Sequence, residues 1–249
     1  MKTAAGSLLI FHLLADFYFQ PDWLARKKES SRGHLTIHCL IYALVVGIGM
    51  SWLLGLSISG FLALFAALAA SHVAIDGMLR KPMKEVLSPA LAFALDQGLH
   101  LVVLALVFLI VAATNGDAAI SRLDELVLGW SVELTWTLGI LMSCLPGSVA
   151  VSKILDSARD NCEGPNFSKI HSGKRIGVLE RLIVLALTLQ GQYSAIAFVF
   201  TAKSIARFKE IESSRDFAEV YLLGTLTSVC LSGRRSRVAA PTAWHSAWN

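Results

Sequence analysis

Residues 58–79 read ISGFLALFAALAASHVAIDGML, and the fold class turns on this run. It contains no Lys, Arg or Glu, and its one charged residue, Asp76, stands one helical turn after His72. A helix needs ~20 predominantly apolar residues to cross the hydrocarbon core of a bilayer, and this run has them. An aspartate inside such a span costs on the order of 3 kcal/mol on insertion scales, so its presence calls for a functional or structural partner.

Working outward, the same hydropathy pattern predicts helices over Ala4 to Phe19, His34 to Leu56, Ile58 to Leu79, Ser88 to Ala113 and Leu126 to Val151. Three shorter ones follow, at Ile176 to Leu189, Tyr193 to Phe208 and Phe217 to Leu231, short enough to be tilted, re-entrant or interfacial. The expected fold is therefore all-α, a polytopic transmembrane bundle of about 7–8 helices. Residues 1–113 form a four-helix, His/Asp-bearing membrane domain, residues 114–232 the C-terminal membrane helices, and residues 233–249, with Arg234, Arg235 and Arg237, a disordered basic tail. No internal repeat and no Gly-rich phosphate loop stand out. The apolar run after Lys2 is interrupted by His12 and Asp16 and reads as mature structure, not as a cleaved signal.

Composition agrees with this class: of 249 residues 55% are hydrophobic and 16% charged, with mean hydropathy +0.60, outside the range of ordinary soluble domains. The net charge of +4 lies in short loops, which speaks for membrane topology and against nucleic-acid binding. Arg26, Lys27, Lys28 and Arg32, then Arg80, Lys81 and Lys84, then Lys153, Arg159, Lys169, Lys174 and Arg175 outnumber the acids of their loops, whereas residues 114–125 carry Asp117, Asp124 and Glu125 against Arg122. With alternating helices the basic loops share one side, which the positive-inside bias makes cytoplasmic, and the N-terminus is outside. Cys39, Cys144, Cys162 and Cys230 show no CxxC spacing and read as packing residues.

Against that apolar background, His12 and Asp16, His72 and Asp76, and Asp96 and His100 are spaced i,i+4, which sets each pair on one helix face. His38 adds an imidazole near the start of the second helix. Asp16, His38, His72, Asp76, Asp96 and His100 all fall in the cytoplasmic half of their helices, so four helices bring imidazole and carboxylate to one level. Mixed imidazole and carboxylate ligands suit zinc, manganese or iron, and His12, Asp16, His38, His72, Asp76, Asp96 and His100 are enough for one or two ions. Such a centre activates water for hydrolysis, with Asp16, Asp76 or Asp96 as general base wherever a carboxylate is free of metal. Gln20 and Gln97 flank the pairs and are candidates to orient ligand or substrate. Arg181, Lys203 and Arg207 are candidates to hold an anionic or phosphate-containing substrate, against the plainer reading that they pair with Glu180 and Glu219 or snorkel to the interface.

The runs HLLADFYFQPDW from His12, HVAIDGMLRK from His72 and LDQGLH ending at His100 resemble the domain-of-unknown-function 3307 family. GKRIGVLER, AKSIARF and YLLGTLTS resemble the C-terminal part of its longer members. The resemblance implies a multi-pass protein of the bacterial inner membrane and names no reaction. The expectation is thus a membrane-embedded metal-dependent hydrolase with a cytoplasm-facing site. The alternatives are an ion- or proton-coupled transporter using the same residues and a non-catalytic membrane scaffold.

Overall fold

The computed structural model describes residues 2–115, 131–159 and 171–232, and among them every regular element is a helix. Helix α1 (Lys2–Leu13) runs into a π-helical turn (Leu14–Tyr18), followed by α2 (Asp22–Lys27) and α3 (Arg32–Leu54). Helix α4 (Ile58–Ala74) runs into a second π turn (Ile75–Leu79) and on into α5 (Arg80–Val86), before α6 (Pro89–Asn115). Then come α7 (Ser131–Ser143), α8 (Leu145–Arg159), α9 (His171–Leu189), α10 (Tyr193–Ala206), α11 (Phe208–Ser213) and α12 (Arg215–Ser232). The expected helix start at residues 126–130, the acidic loop at 116–125 and the tail at 233–249 lie outside the described residues.

Among the described residues, four stretches are long and apolar enough to cross a bilayer: Arg32–Leu54, Ile58–Val86, Pro89–Asn115 and Glu133–Ala158. On α3 the outward residues Ile37, Leu40, Leu44, Ile48 and Trp52 are as apolar as the inward Val46, Met50 and Leu53. A helix that is hydrophobic all round belongs inside a large protein or in lipid. Two expected boundaries move. The third helix does not end at Leu79 but continues through Pro82, which falls in the first turn of α5, where a missing N–H is tolerated. The first connection is not all loop, since Pro21 opens the short α2.

The chain divides into two compact units, one within Met1–Leu141 and one from Met142 on. In the first, Gly55 closes α3 in the left-handed region at φ 66°, Leu56 N donates to Ser51 O at 3.0 Å, and Ser57 Oγ caps α4 by accepting Gly60 N at 3.3 Å. That tight connection makes α3 and α4 antiparallel neighbours. Gly49 lets α1 come close, because a Cβ there would stand 2.6 Å from the Phe11 ring. Leu8, Ala43, Val46, Met50, Leu64, Leu68 and Leu104 form the apolar core between α1, α3, α4 and α6. Tyr42 belongs to that core, and its ring marks where the core gives way to the His/Asp cluster.

In the second unit the expected continuous helix to Val151 is broken at Cys144 and resumes to Arg159. Pro146 has no N–H to offer the preceding turn. Arg181 Nε donates to the Ser143 carbonyl and its Nη2 to Ser148 Oγ, both at 2.6 Å, and Ser148 Oγ in turn donates to the Cys144 carbonyl at 2.7 Å. Gly147 makes room for it, since a Cβ there would lie 3.2 Å from Arg181 Nε.

The element order of the first unit also repeats, which the sequence reading missed. Each half consists of a helix carrying the histidine of HxxxD, a π turn holding the aspartate, a short helix bearing basic residues, and a long helix with a polar i,i+4 pair. His12 and Asp16 in the first half match His72 and Asp76 in the second; His38 and Tyr42 match Asp96 and His100. The ring contacts obey the same exchange. His12 lies against Tyr42 (5.8 Å between centroids) as His72 lies against His100 (4.4 Å), and across the halves His12 meets His100 (5.9 Å) as His72 meets Tyr42 (3.8 Å).

Candidate functional site

Helices α1, α3, α4 and α6 do bring the imidazoles and carboxylates together. The two π turns do part of this work. Phe19 N bonds back to Leu14 O at 2.8 Å and Arg80 N to Ile75 O, and the extra residue in each turn widens the helix at Asp16 and at Asp76. Such bulges occur mostly at functional positions.

A directed set of hydrogen bonds fixes Asp16. Gln97 Nε2 donates to Asp16 Oδ2 at 2.9 Å and more weakly to Asp96 Oδ2 at 3.3 Å. Its Oε1 therefore accepts from His12 Nε2 at 3.1 Å, and the remaining lone pair of the neutral His12 ring, at Nδ1, accepts from the Tyr42 hydroxyl at 3.0 Å. Both His12 nitrogens are thus engaged by protein, and His12 orients Gln97. Asp16 Oδ1 is left facing the imidazoles, 3.3 Å from His38 Nε2 and 4.0 Å from His72 Nε2, which are 2.9 Å from each other. Nitrogen and oxygen ligands about 2.0–2.1 Å from a tetrahedral ion stand about 3.4 Å apart, so the three spacings bracket that geometry. Asp16, His38 and His72 form one group able to hold a metal ion, and His72, Asp76 and His100 a second.

Asp76 is arranged in parallel. Its Oδ2 accepts from Lys28 Nζ at 2.8 Å and Arg80 Nη1 at 3.2 Å, leaving Oδ1 facing His100 Nε2 at 3.7 Å. His100 donates from Nδ1 to the Asp96 carbonyl at 2.8 Å, which puts the lone pair of the neutral ring at Nε2, the usual way a backbone acceptor orients a metal-binding histidine. Two lone-pair acceptors then face each other with no donor between them. Among the described residues, buried side-chain atoms without a hydrogen-bond partner include His38 Nδ1, His72 Nδ1, Asp76 Oδ1, Asp96 Oδ1 and His100 Nε2, all in this one cluster. Buried polar atoms are satisfied with few exceptions, so such a concentration marks a place able to hold a cation or polar ligand.

Of the seven expected ligands, His12 and Asp96 stand outside the two groups, His12 for the bonding reason given and Asp96 because its Oδ2 takes Gln97 and its Oδ1 lies 3.9 Å from Arg80 Nε. Gln20 and Gln97 do flank the cluster. With its amide oriented to match both neighbours, Gln20 donates to Asp16 O at 2.7 Å and accepts Lys28 Nζ at 3.1 Å. Arg181 and Lys203 find partners within their own unit: Arg181 at the helix break, Lys203 on Glu180 Oε2 at 2.6 Å and Thr225 Oγ1 at 3.2 Å. Arg207 follows the last residue of α10.

Three residues of the cluster went unrecognised in the sequence. Lys28 and Arg80 read as loop charges, yet the Lys28 side chain is 5% exposed and that of Arg80 25%. Tyr42 reads as one more apolar position, yet it stacks on His72 and holds His12. The HxxxD-x3-Q and HxxxD-x3-R runs, from His12 to Gln20 and from His72 to Arg80, were the available signal for Arg80.

The fold and site together define a helical bundle with a buried imidazole–carboxylate centre. Residues 6–127, just under half of the chain, match the family described as "Protein of unknown function (DUF3307)", so this segment is similar to that family. All the clustered residues lie inside the match, while GKRIGVLER, AKSIARF and YLLGTLTS lie beyond it. No curated protein and no solved structure gives a significant match.

Proposed function

We propose that this protein is a membrane-embedded, metal-dependent hydrolase whose centre takes one or two divalent transition ions, zinc, manganese or iron, on Asp16, His38, His72, Asp76 and His100. The carrying observation is the facing pair of bare acceptors, Asp76 Oδ1 and His100 Nε2, beside the convergent Asp16, His38 and His72. A divalent ion there supplies a Lewis acid and lowers the pKa of water. The chain's own contribution is orientation and charge. Gln97 and the Asp96 carbonyl aim the ligands, Asp96 Oδ1 is the carboxylate placed to take a proton, and Arg80, beside both Asp76 and Asp96, is placed to meet an anionic substrate group such as a phosphate ester.

The apolar outer faces support a bilayer as the surroundings of these helices. On this reading the excess of Lys and Arg in the connections next to the site favours, by the positive-inside bias, a site toward the cytoplasm of a bacterial inner membrane, with the N-terminus outside. Elemental analysis of the purified protein is the test. Wild type carries close to one or two transition-metal ions per chain, and His72→Ala and Asp76→Ala lose them while keeping helical circular dichroism. Wild type without transition metal removes the proposal.

A second reading has its own observation. The imidazoles of His38 and His72, 2.9 Å apart, stand beside the carboxylates of Asp16 and Asp76 as relay groups would, and relays are a common use of intramembrane His and Asp. An ion- or proton-coupled transporter exposes cysteines placed beside Asp76 and Asp96 to each side in turn, whereas labelling from one side only removes it.

A further inference from the structure

Lys28 follows α2 in the run ARKKE, where a lysine is expected to face solvent. Its neighbours Arg26 and Lys27 are exposed, whereas Lys28 is buried. All three ammonium protons are used inside the cluster: on Asp76 Oδ2 at 2.8 Å, on His38 Nε2 at 3.0 Å and on the Gln20 amide oxygen at 3.1 Å. The second contact is decisive. An imidazole nitrogen has one lone pair in the ring plane, and in the tautomer protonated at Nδ1, the one that accepts from an ammonium, the Nε2 lone pair that Lys28 takes is the one on the side of Asp16 Oδ1 and His72 Nε2. Ammonium and metal ion cannot both hold it.

The two ends of the cluster therefore differ. Among the described residues, no donor reaches Asp76 Oδ1 or His100 Nε2, and no side-chain cation competes for them. At Asp16, His38 and His72 a positive charge is already supplied by the chain. The repeat sharpens the contrast. The residue one turn after each aspartate is Gln20 in the first half and Arg80 in the second; Gln20 holds Lys28 in place, while Arg80 lies on the outer side of Asp76 and touches no imidazole nitrogen. Helix α2 is anchored through one fully buried side chain, Leu24, with Trp23 48% exposed, so little packing opposes withdrawal of Lys28.

Resting on the metal-centre reading, we propose that Lys28 is a tethered competitor for the ion at Asp16, His38 and His72. Divalent metal enters that position only as the Lys28 ammonium leaves it, and the position at Asp76 and His100 fills first. Lys28 thereby ranks the two positions and determines which ions displace it.

The test uses the full-length protein in detergent, stripped of metal and titrated with cobalt(II), followed by its visible absorption. Lys28→Met and Lys28→Gln each bind the weaker of two cobalt equivalents about tenfold or more tighter than wild type, since the displaced contacts were charge-assisted; Lys28→Arg does not. Lys28→Gln keeps a donor for Asp76 and serves if the methionine variant does not fold. In wild type, saturating cobalt also raises labelling of Lys28 by an amine reagent relative to the exposed Lys27. Cobalt binding that is no tighter in both neutral variants, or that leaves Lys28 protected, overturns the proposal while the metal centre stands. No cobalt spectrum in wild type or in any variant overturns the metal centre and this proposal with it.

Discussion

Replacing Asp76 with asparagine, in metal-free buffer, strikes the charge balance on which the cluster depends. Asp76 Oδ2 is 2.8 Å from Lys28 Nζ, with side chains 1% and 5% exposed, and 3.2 Å from Arg80 Nη1. Removing one partner of a buried ion pair costs about 3–5 kcal/mol, chiefly because the other charge is left uncompensated. Arg80 is 25% exposed and can turn toward water, so most of that cost falls on Lys28. Lys28→Met alone should cost less, about 1–3 kcal/mol, because Arg80 still partners the carboxylate. In the double variant no buried ammonium remains, and the total should fall short of the sum of the singles by about 2 kcal/mol. The assay is unfolding in mixed micelles with increasing denaturing detergent, followed by circular dichroism. A double variant equal to the sum within about 0.5 kcal/mol would refute the argument, since independent sites add to that precision.

Tyr42→Phe keeps the stack on His72 and removes the hydroxyl that His12 Nδ1 accepts; about 1–3 kcal/mol of stability should go, with no clash to explain it. Gly49→Ala drives a methyl into the Phe11 ring and should cost about 1–3 kcal/mol in the same assay. Arg181→Met deprives Ser143 O and Ser148 Oγ of their donors at the broken helix, and should lower stability by about 1–3 kcal/mol without changing metal content. A chelator should lower the melting temperature of wild type, and added zinc should restore it, because a ligand bound only by the folded state stabilises that state.

The bundle was legible because its signal is thermodynamic and local: runs such as Ile58 to Leu79 need apolar surroundings on every side. The His/Asp pairs were legible for the same reason, since a charge in such a run must have a partner. What the sequence hid was reach and bonding. Lys28 stands among basic neighbours, and nothing in ARKKE says that one long stem turns inward. His12 carries the same HxxxD spacing as His72, yet Tyr42 and Gln97 take both its nitrogens, a difference set by residues on two other helices. The π turns add one residue to a turn without changing hydropathy. The repeat was masked because its second helices carry His38 and Tyr42 in one half and Asp96 and His100 in the other. Pro146, by contrast, was readable: a proline inside a helical pattern ends or kinks the helix, and the expected continuous span passed over it.

The measurement that bears most directly on the metal centre is X-ray absorption at the metal edge of the purified, zinc-loaded protein. The account predicts nitrogen and oxygen scatterers at about 2.0–2.1 Å with outer-shell scattering from two or more imidazoles, reduced in His100→Ala and in His38→Ala. A zinc environment that lacks imidazole scattering, or that is unchanged in both variants, would contradict it.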